Sequence, residues 1–204
     1  MPFRDESCSR PALLNMNRGV SKMILKKVFR VLICSVLGAA LWAGCLQVRT
    51  VEHRIKLNKD GSGEHMLRLL DIRSDGTTDS AVTHDFNVMM SSYDQSGGTE
   101  FNTGGRSLTY KRLYTHSNAL IAEVTYSFKE LAAVEGLRVR GDELFVVVGS
   151  AREIVKTNGK VRSTEKNQQT IVWDRDAPRL FYVIREKEMP PSLSLAPYFR
   201  ARRK

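Results

Sequence analysis

The chain has 204 residues, 42% of them hydrophobic and 26% charged, with a formal net charge of +10 and three cysteines. This composition excludes a disordered chain, and so few cysteines exclude a disulfide-stapled scaffold. The basic balance does not imply a nucleic-acid partner, because half of it lies in residues 1–44, with seven Lys/Arg against two Asp/Glu, while residues 45–204 hold 25 against 20. Four of those later cations, Arg200, Arg202, Arg203 and Lys204, crowd the last five positions. The body between is close to neutral and carries no basic stripe interleaved with aromatics, so no nucleic acid is expected.

Residues 1–22, with Pro2, Pro11 and scattered charge, read as an upstream extension, the start being Met23 or Met16 rather than Met1. Lys26, Lys27 and Arg30 then precede Val31 to Gly44, an uncharged run of fourteen residues. A positive region, an apolar region and small residues before a cut site make a secretory signal, assigned here to 23–44. A spanning helix needs about 20 apolar residues. The alternative is an uncleaved anchor with Cys45 as an ordinary thiol.

Ala43-Gly44-Cys45 resembles the lipobox of bacterial lipoproteins. The resemblance implies cleavage between Gly44 and Cys45 and a diacylglycerol or other acyl chain (palmitate among them) on Cys45. Trp42 departs from the pattern, standing where lipoboxes carry an aliphatic residue; Leu41 lies one place further back. Cys8 and Cys34 both precede the cut, so Cys45 is the only cysteine of the exported chain. A lipid accounts for an otherwise odd thiol. Stability must then come from a core, for which roughly 140 residues suffice.

In chain order, the alternation of Gln47 to Leu57 predicts a strand. Lys59-Asp-Gly-Ser-Gly63 is a turn, and Glu64 to Ile72 returns as a second strand. Asp79 to Tyr93 predicts a helix with Asp79 as N-cap, because Val82, Phe86, Met89, Met90 and Tyr93 share one face. Residues 95–107 read as a loop with Gly97-Gly98 beyond the helix end. Two strands, Leu108 to Tyr114 and Leu120 to Phe128, flank Thr115 to Asn118. Ser127 to Glu130 matches a capping box for a short helix ending near Gly136. Leu137 to Arg140 and Glu143 to Val148 form a hairpin around Gly141-Asp142. Ile154 to Thr157 and Lys160 to Ser163 are predicted to form another around Asn158-Gly159, and Gln169 to Trp173 and Leu180 to Arg185 bracket the turn before Pro178. Pro190, Pro191 and Pro197 mark the expected end of the folded part, so 45–189 is the body and 190–204 a basic tail. The tail reads as a solvated, frayed terminus, with an anionic membrane surface as its alternative contact. The sum is an α+β domain, a mainly antiparallel sheet with one long and one short helix packed on a face.

Chemistry is sparse. His53, His65, His84 and His116 show no metal-ligand spacing, so no metal or cofactor is expected. His84-Asp85 is placed on the polar side of the long helix. Asp71 to Gly76 has the flavour of a calcium loop but carries Arg73 and Val82 where ligands are needed, and reads as a turn into the helix. Neither a G-x-S-x-G nucleophile nor a phosphate-cradling loop is present. The acid pairs Asp174/Asp176 and Glu186/Glu188 lie among cations, as on a solvated surface. Phe86, Met89, Met90 and Tyr93 are the candidate ligand contacts, core packing being the commoner use of such a stripe.

The sequence Asn58-Lys-Asp-Gly61-Ser-Gly63 after the lipobox, followed by Tyr126-Ser-Phe128-Lys-Glu130-Leu131, is similar to lipoproteins with the LppM-like domain over residues 45–135. The resemblance implies a lipid-anchored protein of the bacterial cell envelope with an α+β domain that binds lipid or glycolipid, and brings no catalytic residues. Leu46 after the cysteine favours the outer membrane in a two-membrane cell. The expected role is a non-catalytic binding or structural body whose partners are the membrane and a lipid or envelope protein. A lipid carrier using the helix–sheet cleft and an envelope hydrolase with a dispersed site are the alternatives.

Overall fold

In the computed structural model the described residues are 46–95, 104–163 and 168–202. The upstream extension, the signal segment, Gly44, Cys45 and most of the predicted 95–107 loop lie outside them. Strand β1 (Leu46–Leu57) turns at Asn58–Ser62 into β2 (Gly63–Ser74), and helix α1 (Asp79–Gln95) follows. Strands β3 (Arg106–His116) and β4 (Ala119–Phe128) form the next hairpin. Its two-residue turn, Ser117-Asn118, has both φ angles positive, at 47° and 65°, which matches the right-handed twist of the flanking strands. A 3₁₀ turn (Leu131–Ala133) leads into β5 (Leu137–Arg140), β6 (Glu143–Val148), β7 (Arg152–Thr157), β8 (Lys160–Ser163), β9 (Gln169–Asp174) and β10 (Arg179–Glu186). A two-residue strand β11 (Leu193–Ser194) and helix α2 (Ala196–Arg202) complete the described chain.

The strands make two antiparallel sheets. The larger has the order β3-β4-β2-β1-β10-β7, with β11 added to β2, and the smaller has the order β5-β6-β9-β8. The fold is therefore α+β and sheet-dominated, as the alternating pattern predicts. The expected hairpin around Asn158-Gly159 is not a hairpin, and the strands that bracket the turn before Pro178 do not pair with each other. β7 pairs with β10 in the large sheet while β8 pairs with β9 in the small one. Besides crossing between β4 and β5 and between β6 and β7, the chain changes sheets at Asn158-Gly159 and again between β9 and β10.

Asn158 explains the crossing between β7 and β8. Its Oδ1 accepts from Trp173 Nε1 at 2.7 Å and from the Phe181 backbone N–H at 2.8 Å, and its Nδ2 donates to Arg179 O at 2.9 Å. One side chain thus ties the corner to both sheets. Gly159 lets the Trp173 ring lie against the backbone, since a Cβ there would sit 2.6 Å from the ring. The Asn-Gly pair serves sheet packing here rather than a tight turn.

One face of the large sheet carries two cores. Along β4, Leu120 and Ala122 pack with the helices, and Val124, Tyr126 and Phe128 pack with the small sheet. Alternate residues of a strand share a face, so both cores lie on the same side. Asp71 reconciles the facing of β2 with both. Its φ of 61° interrupts the β1–β2 ladder, and Leu69 and Ile72, three apart, both reach the helical core. The segment expected to be a turn into α1 is therefore the kinked end of a strand.

The helical core holds Ile72, Val82, Phe86, Met90, Leu113, Leu120, Leu195, Ala196 and Phe199. The folded part runs past Pro190 and Pro191, because α2 buries Phe199 at its C-terminal half and Pro197 sits in its first turn, where a missing N–H costs nothing. Thr78 rather than Asp79 caps α1: its Oγ1 accepts from the Ala81 N–H at 3.3 Å and its carbonyl from the Val82 N–H. Asp79 instead accepts from the Tyr198 hydroxyl of α2. The capping box before the 3₁₀ turn is not realised, since Glu130 makes no side-chain cap.

Candidate functional site

The hairpin β1–β2 places two histidines against one another. Leu57 pairs with Gly63 across the turn, and the same register sets His53 opposite Leu67 and Ile55 opposite His65. The two imidazoles are diagonal neighbours on the core face, within reach of each other. His53 Nδ1 and His65 Nε2 are 3.1 Å apart. His65 Nδ1 lies 2.5 Å from the Tyr126 hydroxyl of β4. His65 is 2% exposed, Tyr126 3% and Tyr182 2%. His53 is partly exposed and stacks on Tyr182 with centroids 4.2 Å apart, and Tyr182 in turn leans on Trp173 of the small sheet at 5.8 Å.

Burial sets the electrostatics. Desolvation, then the neighbouring His65 and Arg152, holds the His53 pKa well below the ordinary imidazole value. Desolvation, then Arg106, lowers that of His65 to about 4. Burial raises the Tyr126 and Tyr182 phenols, with Arg106 partly opposing it at Tyr126. Both rings are neutral at neutral pH, and each of the two contacts then holds one hydrogen. Two concerted arrangements satisfy this. Either His53 donates to His65 and His65 to Tyr126, or Tyr126 donates to His65 and His65 to His53. The row can relay hydrogen-bond polarity without carrying charge. Its placement between the sheets makes it a polar pin in the core, and a buried network that is fully satisfied specifies one packing.

Linear ligand spacing does not show this pair, since His53 and His65 lie twelve positions apart on two strands. The D-G-x-G turn and the strand register would have revealed it. Among the described residues no three His, Cys, Asp or Glu side chains converge in a cluster suited to a metal ion. His84 is exposed. Asp85, expected on the polar side of α1, is instead 4% exposed and accepts from Ser74 Oγ at 2.5 Å, and Ser74 Oγ accepts from the Gly76 N–H at 2.9 Å. Asp71 faces Arg73 at 3.4 Å rather than a calcium loop.

The candidate ligand stripe is core. Phe86 and Met90 are each 5% exposed and pack with Ile72 and Leu113, while Met89 and Tyr93 are partly buried against the same cluster. Tyr93 also takes the Lys111 ammonium over its ring at 4.7 Å. Cys45 and Gly44 lie outside the described residues, but Cys45 is covalently next to Leu46, the first residue of β1. Among the described residues no helix is long and apolar enough to cross a membrane.

At the other end of the strands the β1–β2 and β9–β10 loops enclose an open groove of about 950 Å³. Lys59, Asp60, Asp142, Asp174, Arg175 and Asp176 line it, with Leu57, Leu131 and Pro178 as its apolar floor. Such mixed charge around a small apolar patch suits a polar partner. No protein-family model, curated protein or solved structure matches the chain.

Proposed function

We propose that the protein is a bacterial envelope lipoprotein, attached through an acylated Cys45, whose folded body is a non-catalytic binding or structural module. The sequence of the leader carries this reading: a basic start, fourteen uncharged residues and Ala43-Gly44-Cys45. The presence of Leu46 in β1 fits it, because the folded body would then reach the residue bonded to the acylated Cys45 and sit directly on the lipid headgroups. The groove at the far end of the strands would face away from the bilayer and remain open to a partner. By the resemblance to LppM-like lipoproteins that partner is a lipid or glycolipid, an envelope protein being the other partner proposed, and the outer membrane is preferred in a two-membrane cell by the same analogy. The packed α1 stripe gives no support to carriage of lipid beneath the helix.

Growth with an alkyne-tagged palmitate, followed by fractionation, tests the assignment. Wild-type protein is expected to take the label and to sediment with membranes, and Cys45→Ala to lose the label and retain the uncleaved leader. Equal labelling of the two would sink the proposal.

A further inference from the structure

From the arrangement of β1, β2 and β11 we infer that the segment Met189–Leu193 is a second membrane contact, a shallow apolar wedge beside the lipid anchor. This rests on acylation of Cys45. The cross-strand row at the end of the large sheet reads Leu46, Ser74, Leu193, because Leu46 pairs with Ser74 and Ser74 with Leu193. Paired Cα atoms lie about 5 Å apart, so Leu193 is about 10 Å from Leu46, the residue bonded to Cys45. More to the point, it stands at the same height along the strands as the residue that follows the anchor. A bilayer that receives the Cys45 lipid therefore meets Leu193 at nearly the same depth.

The chemistry of the segment fits that position. Leu193 is among the most exposed large apolar side chains of the described residues, at 48% beside 47% for Val88 and Val155. Pro190 and Pro191 beside it are exposed and Met189 is partly so. The end of the segment is fastened to β2: Arg73 Nε donates to Ser192 Oγ at 2.9 Å and its Nη2 to Ser192 O at 2.5 Å, β11 pairs with β2 through Leu193 and Ser194, and the Leu195 N–H donates to Ile72 O of the same strand. Interfacial apolar groups of this kind bury ~5–10 Å into the headgroup and acyl boundary. Leu193 is not needed by either core, which frees it for such a contact.

Brominated-lipid quenching on the acylated full protein in phosphatidylcholine vesicles tests the wedge. The processed chain keeps Trp173 alone, which is 5% exposed in the core, as a constant background. Leu193→Trp is expected to gain blue-shifted emission of which about half or more is quenched by bromines near the headgroup boundary. Val139→Trp, exposed at 45% on β5 of the small sheet, is the control and is expected to stay unquenched. Vesicle-bound, acylated protein whose Leu193→Trp emission is quenched no more than that of Val139→Trp overturns the wedge alone. Protein of unacylated mass that fails to float with the vesicles overturns the anchor, and the wedge with it.

Discussion

His65 ties β1, β2 and β4 together through His53 and Tyr126, and its neutrality is a condition of the fold. In the unfolded chain its pKa returns to the ordinary value of 6.5, against about 4 in the folded protein. His53 is shifted in the same direction. Below pH 6.5 the unfolded chain therefore binds protons that the folded one refuses, and stability rises with pH across that window. The contribution is complete above about pH 6.5 and is lost progressively as pH falls toward 4. For His65 it amounts to roughly 3 kcal/mol. Urea unfolding at pH 7.5 and pH 5 is expected to show a clear drop in stability on acidification, and His65→Phe to flatten that drop; identical slopes for the two proteins would remove His65 as its source. At the same scale, Gly159→Ala should cost about 1–3 kcal/mol, because the added methyl must displace a Trp173 ring that is both buried and hydrogen-bonded to Asn158. Thermal melts that match wild type within error would contradict the corner described above.

At the scale of elements, α2 closes the helical core from a part of the chain that reads as a tail. Leu195 and Ala196 are wholly buried and Phe199 is 6% exposed. Phe199→Ala is expected to lose about 3–5 kcal/mol, measured by denaturant unfolding, where a frayed terminus would lose almost nothing. The sequence hid this helix because three prolines and four cations crowd residues 190–204 around it, and seven residues give periodicity little room. The β1–β2, β3–β4 and β5–β6 hairpins and the long helix α1 were legible, since local turn chemistry and a 3.6-residue stripe decide them. Asn158-Gly159 was misread for the opposite reason. Its local preference for a hairpin turn is real, but Trp173, fifteen residues on, takes the Asn158 carbonyl and the space a Cβ would fill. The His53–His65 contact was available from register arithmetic around the Asp60-Gly-Ser-Gly63 turn. Its pairing with Tyr126 was not, because it needs the order of β2 and β4 in the sheet.

For the whole molecule, the proposed attachment lies at one end of the strands and an open, mixed-charge groove at the other. The body needs no linker in this scheme: β1 contains the residue after Cys45 and runs the length of the sheet, flanked by β2 and β10. The face of that sheet opposite the two cores is laced by ion pairs, Arg54 and Arg68 on Glu52 and Arg68 on Glu123, and Glu52, Ile121 and Thr125 are buried among them. Attachment by lipid rather than by a spanning segment is the central claim. Intact-mass spectrometry of the protein extracted from membranes reads it directly. The account predicts a chain that begins at Cys45 and carries the added mass of a diacylglyceryl group, with further acylation at the new amino terminus where the host performs it. A membrane-extracted chain that keeps residues 23–44 and carries no acyl mass would contradict it.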